Sequence, residues 1–87
     1  MINVSRIPDD TKSIKLSEKD GTVTLDTKGL DCIVKTVGAD IFIKAKENGA
    51  DEDVFILRDG ESISFCGRVG VFTKSTADVY CMFYRTL

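Results

Sequence analysis

Side chains that carry catalysis or metal binding are scarce in this chain of 87 residues. It contains no histidine, which is the commonest general base, the commonest metal ligand and the usual partner of a nucleophilic serine or cysteine. No phosphate-binding loop, dinucleotide-binding glycine pattern or G-x-S-x-G motif occurs. We therefore expect no catalytic activity, no bound metal and no cofactor.

Three cysteines are the remaining candidate nucleophiles or ligands: Cys32, Cys66 and Cys81. They form no C-x-x-C pair, and an odd count without a secretory signal is typical of free thiols in a reducing compartment. All three lie in runs typical of strands, where a free cysteine behaves as a small buried hydrophobe. The alternative is a metal, redox or disulfide role.

Two acidic groups are candidate ion or catalytic sites. Asp51, Glu52 and Asp53 lie in a polar stretch, and calcium takes oxygen ligands from such loops. Three consecutive carboxylates cannot all face one ion, and the spaced EF-hand pattern is absent. Asp59 and Glu61 flank a glycine in a turn, beside the hydroxyl of residue 62. Solvated loops are the favoured interpretation of both, with a cation at residues 51–53 as the alternative.

The elements that must position these residues are predicted from an alternation that is clearest in the second half. Residues 54–57, 63–65, 69–72 and 79–84 are short runs of β-branched and aromatic residues, each closed by glycine, aspartate, serine or lysine. Side chains of a strand alternate between its two faces, so these runs predict strands. With similar runs in the first half, they predict about eight strands, no substantial helix, and a two-sheet sandwich or jelly roll.

The turns and the first half are predicted in more detail. Asp20-Gly21 and Asp59-Gly60 are typical of tight hairpin turns, the first joining residues 12–17 to 22–25 and the second joining residues 54–57 to 63–65. Phe42, Lys44 and Lys46 are predicted to share a solvated strand face, and residues 47–53 form the longest loop. Within residues 1–10, an edge strand or extended arm is expected to stop at Pro8.

Length and charge restrict the function further. Residues 1–87 suffice for a single domain, and the formal net charge of −2 comes without a basic patch, which argues against nucleic acid as a partner. The first ten residues lack the apolar core of a signal peptide, and no run approaches the ~20 apolar residues of a membrane span, so no membrane role is expected.

The last strand is apolar on both faces, which is unusual for a sandwich. If residues 79, 81 and 83 face the core, then Tyr80, Met82 and Tyr84 face outward. Tyrosine and methionine are enriched at protein interfaces, so these three residues are the predicted interface of a homo-oligomer. The alternative is that residues 2–7 cover this strand within the same chain.

Residues 37–84 also carry four features in a recognisable order. Gly38-Ala39-Asp40 precedes an aromatic strand, Gly60-Glu61-Ser62 follows a second strand, Val69-Gly70-Val71-Phe72 is a third, and Thr76-Ala77-Asp78-Val79 opens the last. In this order the segment resembles the small β-sandwich virion proteins of bacteriophages, which decorate heads or associate with fibres and tails. The resemblance implies a non-catalytic structural protein, other virion proteins as partners, and a place in the virion or in the cytoplasm of a bacterial host. A sandwich that binds a carbohydrate or a host protein is the alternative.

Overall fold

The computed structural model describes residues 6–86, and these form eight strands and one 3₁₀ turn. The strands are β1 (Arg6–Ser17), β2 (Val23–Asp26), β3 (Asp31–Val37), β4 (Ile41–Lys44), β5 (Phe55–Leu57), β6 (Ser62–Phe65), β7 (Arg68–Phe72) and β8 (Thr76–Thr86). The 3₁₀ turn, Glu18–Asp20, lies between β1 and β2. The predicted all-β fold is confirmed.

The strands form two antiparallel sheets of four. The first sheet has the order β1-β8-β3-β6, and the second has the order β2-β7-β4-β5. Strand pairs β1 with β8, β2 with β7, β3 with β6 and β4 with β5 are all present, so the chain behaves as one long hairpin rolled into two layers. This nesting of antiparallel pairs is the jelly-roll arrangement, one of the two architectures expected from the sequence.

The core lies between the sheets and is built from the inward-facing side chains of the strands. Alternating residues of β3 and β8 supply its centre, including Val34 and Val79, which are completely buried. From the second sheet, Leu25, Ile41 and Val71 pack against them. Strand periodicity therefore accounts for the core, because every second residue of each strand faces the opposite sheet.

Both predicted hairpins are wrong, because each turn joins strands of different sheets. The Asp20-Gly21 turn leads from β1 in the first sheet to β2 in the second, and Asp59-Gly60 leads from β5 to β6. The second turn itself is tight: Glu61 donates its N–H to the carbonyl oxygen of Arg58 at 2.9 Å. An Asp-Gly pair supplies the backbone conformation of a turn but does not select the sheet that receives the next strand.

The first strand also differs from the prediction. β1 continues through Pro8 and pairs with β8 along its whole length, with a register shift between Pro8 and Asp10. Proline is tolerated there because β1 is an edge strand, which leaves one row of backbone groups without a partner strand. Within the predicted arm, Arg6 and Ile7 pair with the end of β8, and residues 2–5 lie outside the described residues.

The loop formed by residues 45–54 folds back over the outer face of the second sheet. Lys44 is only 5% exposed, so the predicted solvated position of this side chain is wrong. Its ammonium group is paired with the carboxylate of Asp51 and lies 5.3 Å from the ring centre of Phe72. A loop carboxylate and an aromatic ring thus replace the water that a solvated lysine would have.

Candidate assembly surface

β8 alternates between the core and the outer surface as the sequence predicts. The core-facing residues are Val79, Cys81 and Phe83. On the other face, Tyr80 is 49% exposed, Met82 is 37% exposed and Tyr84 is half-buried. The structure thus brings the three predicted residues into one outward row, and their part in an oligomer stays a prediction.

Cross-strand register gives this row its neighbours. Tyr80 lies opposite a residue of β1 on one side and of β3 on the other, and so does Met82. Directly opposite residues of antiparallel strands share a face, with Cβ atoms about 5 Å apart. We call the resulting surface the β8 face; its members are Thr11, Ser13, Ile33, Lys35, Tyr80 and Met82.

The β8 face is a shallow depression with a volume of ≈ 390 Å³. Its middle is apolar, formed by Ile33, Tyr80 and Met82, and its rim carries the hydroxyls of Thr11 and Ser13. The alternation within β3 places Ile33 and Lys35 on one face, but only the pairing of β3 with β8 sets them beside Tyr80 and Met82. Sequence reasoning therefore missed the residues around the predicted row.

Tyr84 differs from the other two residues of the row. The guanidinium carbon of Arg6 lies 6.0 Å from the centre of its ring, and Arg6 is also 4.0 Å from a carboxylate oxygen of Asp31. This arrangement covers part of the ring with a cation. Tyr80 and Met82 are therefore the main accessible apolar groups of β8.

Part of the outer face of the second sheet is covered by the chain itself, although Ile56 is 40% exposed there. The rings of Phe42 and Phe72 stack with centres 5.1 Å apart, and the ammonium group of Lys74 lies 5.0 Å from the centre of Phe42. Glu47, in the loop of residues 45–54, accepts a hydrogen bond from the hydroxyl of Thr24. Among the described residues, no comparable loop lies over the β8 face, so the two outer surfaces of the sandwich are not equivalent.

Two of the three thiols are buried and the third is exposed. Cys32 and Cys81 are free and buried on neighbouring strands, whereas Cys66 is free and exposed between β6 and β7, so the prediction that all three are buried is wrong for Cys66. Burial raises the pKa of Cys32 to about 12, with the neighbouring Cys81 adding to the effect. Burial also raises the pKa of Cys81. Neither buried thiol is poised as a thiolate nucleophile at neutral pH.

The acidic residues of the turns accept hydrogen bonds from backbone N–H groups and so stabilise the turns. Asp59 accepts a hydrogen bond from the N–H of Gly38 at 2.8 Å, and Asp40 accepts one from the N–H of Asp59 at 2.8 Å. Glu61 accepts the N–H of Arg58 at 2.8 Å. Within residues 6–86, no three cysteine or carboxylate side chains lie close enough together to hold a metal ion.

Comparison with known proteins gives no relative for this arrangement. No protein family, curated protein or solved structure matches the chain. Over the described part of the chain, no helix has the length and apolar character needed to cross a membrane. The fold and the β8 face are therefore the features that bear on function.

Proposed function

We propose that this protein is a non-catalytic structural module that assembles with copies of itself, as a capsid-decoration, fibre-associated or tail-associated component of a bacteriophage particle. The observation that carries the proposal is the β8 face, where Tyr80 and Met82 stand exposed in the middle of a sheet. Interfaces concentrate tyrosine, methionine and other apolar groups at their centre and place polar groups at their rim. Thr11 and Ser13 supply such a rim.

The fold and the resemblance support the virion part of the proposal. Jelly rolls are recurrent in viral capsids, although the same architecture also serves lectins and cupins. The sequence resemblance to small virion proteins lies in residues 37–84, which contain β4 to β7 and most of β8. In this role the partners are copies of the chain and other virion proteins, and the site of action is the virion or the host cytoplasm during assembly.

Light scattering after size-exclusion chromatography at micromolar concentration tests self-assembly. We expect a multimer that Tyr80→Glu and Met82→Glu together convert to a monomer, because two like charges per copy would have to be buried in the interface. The control is Asn48→Glu, which adds one negative charge at an exposed loop residue and should leave the multimer unchanged. A wild-type protein that remains a monodisperse monomer would contradict self-assembly.

A density gradient tests the virion assignment separately. Particles purified from the native source should contain the chain, detected by mass spectrometry of the banded fraction. Finding the chain only among soluble cell proteins, while known capsid proteins appear in the band, would reject the virion role and leave self-assembly standing.

A second candidate is a binding module for a carbohydrate. The observation in its favour is the exposed Tyr80 with Ser13 and Lys35 directly opposite it on the two neighbouring strands, because an aromatic surface with nearby polar residues suits a sugar. Screening against immobilised glycans tests this alternative. It would be supported by a monomeric protein whose glycan binding disappears in Tyr80→Ala.

A further inference from the structure

One side of the sandwich presents two strand edges with little to block them. β5 ends the second sheet and β6 ends the first, and residues 58–61 connect them in a tight turn, so both edges lie on the same side of the molecule. Within residues 6–86, neither strand has a neighbour on its outer edge. A row of backbone N–H and carbonyl groups is available on each, and a free edge of this kind is a template for pairing with another chain.

Apolar side chains line the gap between these two edges. Ile63 and Phe65 of β6 pair with core-facing residues of β3 and are half-buried. Phe55 of β5 lies opposite the core-facing Ile43 and is 55% exposed, whereas Ile56 lies opposite Phe42 and faces the outer side of the second sheet. The open side therefore combines free backbone groups with exposed apolar surface.

The opposite side of the sandwich is protected in the ways that edge strands usually are. β1 contains Pro8, which has no N–H to donate, and its register shifts between Pro8 and Asp10. Lys12 lies opposite Cys81 on the core-facing side of this edge strand, and β2 carries the exposed Asp26. Proline, bulges and inward-pointing charges are recognised devices against edge pairing. β6 contains no proline and no charged residue.

We propose that β6 of one copy of the chain pairs antiparallel with β6 of a second copy across a two-fold axis. The first sheets of the two copies then join into one sheet of eight strands. The inference rests on the self-assembly proposed above and adds a second contact, distinct from the β8 face. Two unlike contacts on one subunit let the assembly extend beyond a closed dimer, as a structural array requires.

The sequence of β6 fits itself in one register. With Ser64 opposite the partner's Ser64, Ile63 lies opposite the partner's Phe65, and no charged residue enters the ladder. Moving the axis to Ile63 sets Glu61 opposite the partner's Phe65, and moving it to Phe65 sets Ile63 opposite the partner's Gly67. Odd shifts would pair core-facing with outward residues. The self-complementary register favours a second copy over an unrelated peptide.

The test uses full-length protein in which Tyr80→Glu and Met82→Glu have disabled the β8 face. Sedimentation velocity from about 10 μM to about 1 mM should show a monomer–dimer equilibrium, since the pairing of one short strand is a weak contact. Ser64→Lys should raise the dimer dissociation constant roughly tenfold or more, because like charges directly opposite each other destabilise paired strands. Ser64 is exposed, so the substitution leaves the core intact.

Mixing provides the decisive control. An equimolar mixture of the Ser64→Lys and Ser64→Glu proteins, each in the same background, should dimerise again, because opposite charges then face each other. Asn48→Lys in that background should leave the dimer unchanged.

The possible outcomes separate the two proposals. No dimer at about 1 mM, or a dimer indifferent to Ser64→Lys, overturns edge pairing. If the wild type is still a multimer that Tyr80→Glu and Met82→Glu dissociate, self-assembly through the β8 face is retained and edge pairing is rejected. A wild-type dimer that is sensitive to Ser64→Lys but not to the Tyr80 and Met82 substitutions would retain edge pairing and reject the role of the β8 face.

Discussion

At the scale of single residues, burial decides what a side chain can do. Cys32 and Cys66 are chemically the same, yet Cys32 is fully buried in β3 and Cys66 is exposed in the connection before β7. Burial disfavours the thiolate because the charge would lose its water, so the pKa of Cys32 lies at about 12. The buried thiols are packing groups, and Cys66 is the accessible thiol.

The raised thiol pKa predicts a loss of stability in alkali. The pKa of Cys32 rises from an ordinary value of 9.0 to about 12 in the fold, so its stabilising contribution is full below pH 9 and declines between pH 9 and 12. In that range the unfolded chain ionises the thiol and the folded chain does not. Urea titrations at several pH values should show a free energy of unfolding that falls less steeply above pH 9 in Cys32→Ala than in the wild type. Equal slopes would contradict the assignment.

Gly60 has a backbone requirement that only glycine meets without strain. Its φ is +86°, and an added Cβ would meet no atom within 4 Å, so a substitution at Gly60 is opposed by the backbone conformation and not by crowding. Gly60→Val should lower the free energy of unfolding by on the order of 1 kcal/mol or more, measured by urea titration. Gly60→Asn is the control and should cost less, because asparagine tolerates positive φ better. Equal losses in both variants would argue against the backbone explanation.

At the scale of elements, the loop of residues 45–54 covers part of the outer face of the second sheet. Glu47 holds it to the sheet by bonds to Thr24 and to Arg68, whose Nε lies 3.0 Å from the carboxylate. These bonds also lower the pKa of Glu47. The loop approaches β7 closely where Gly70 leaves room, since an added Cβ there would lie 3.0 Å from the Cα of Glu47.

Gly70→Ala should push this cover away from the sheet. The new methyl group would also lie 2.8 Å from Cγ2 of Thr22, so two neighbours must move. Overpacking of this kind typically costs about 1–3 kcal/mol, which urea titration would measure. Adding Thr22→Ser, which removes Cγ2, should recover part of the loss. Full stability of Gly70→Ala would show that the loop does not pack tightly over Gly70.

At the scale of the whole molecule, nesting makes the fold depend on contacts between distant parts of the chain. β1 and β8, at the two ends of the described residues, form the longest pair in the structure, from Arg6 opposite Thr86 to Ser17 opposite Thr76. Within residues 6–86, only the β4–β5 pair joins strands that are consecutive in the chain. Closing such long loops lowers the conformational entropy of the chain before the contacts between the paired strands can stabilise it.

Slow folding is the expected consequence. Refolding followed by stopped-flow fluorescence of the tyrosines should take from about a millisecond to seconds, as in other β proteins dominated by non-local pairing. Pro8→Ala removes the only proline of the chain, so a slow phase that persists in this variant reflects topology and not proline isomerisation. Complete refolding within about a hundred microseconds would be inconsistent with this account.

Strand content and the two faces of individual strands could be predicted from the sequence. Alternation in β8 separated Tyr80 and Met82 from the core, because successive side chains of a strand point to opposite sides wherever the strand lies. It also located the turn at Gly60, because Asp-Gly supplies the required backbone conformation at little cost. Both are local properties, fixed by residues close together in the chain.

The identity of neighbouring strands and of the open surfaces could not be predicted from the sequence and follows from long-range packing. The turns at Gly21 and Gly60 look like hairpin turns, yet both cross between sheets, because the pairing of β1 with β8 and of β3 with β6 is set by packing between distant segments. Lys44 is buried because a loop folds over it, and Ile33 borders Met82 because β3 joins β8. Side-chain period is a local property of the backbone, whereas sheet membership depends on the free energy of the whole core.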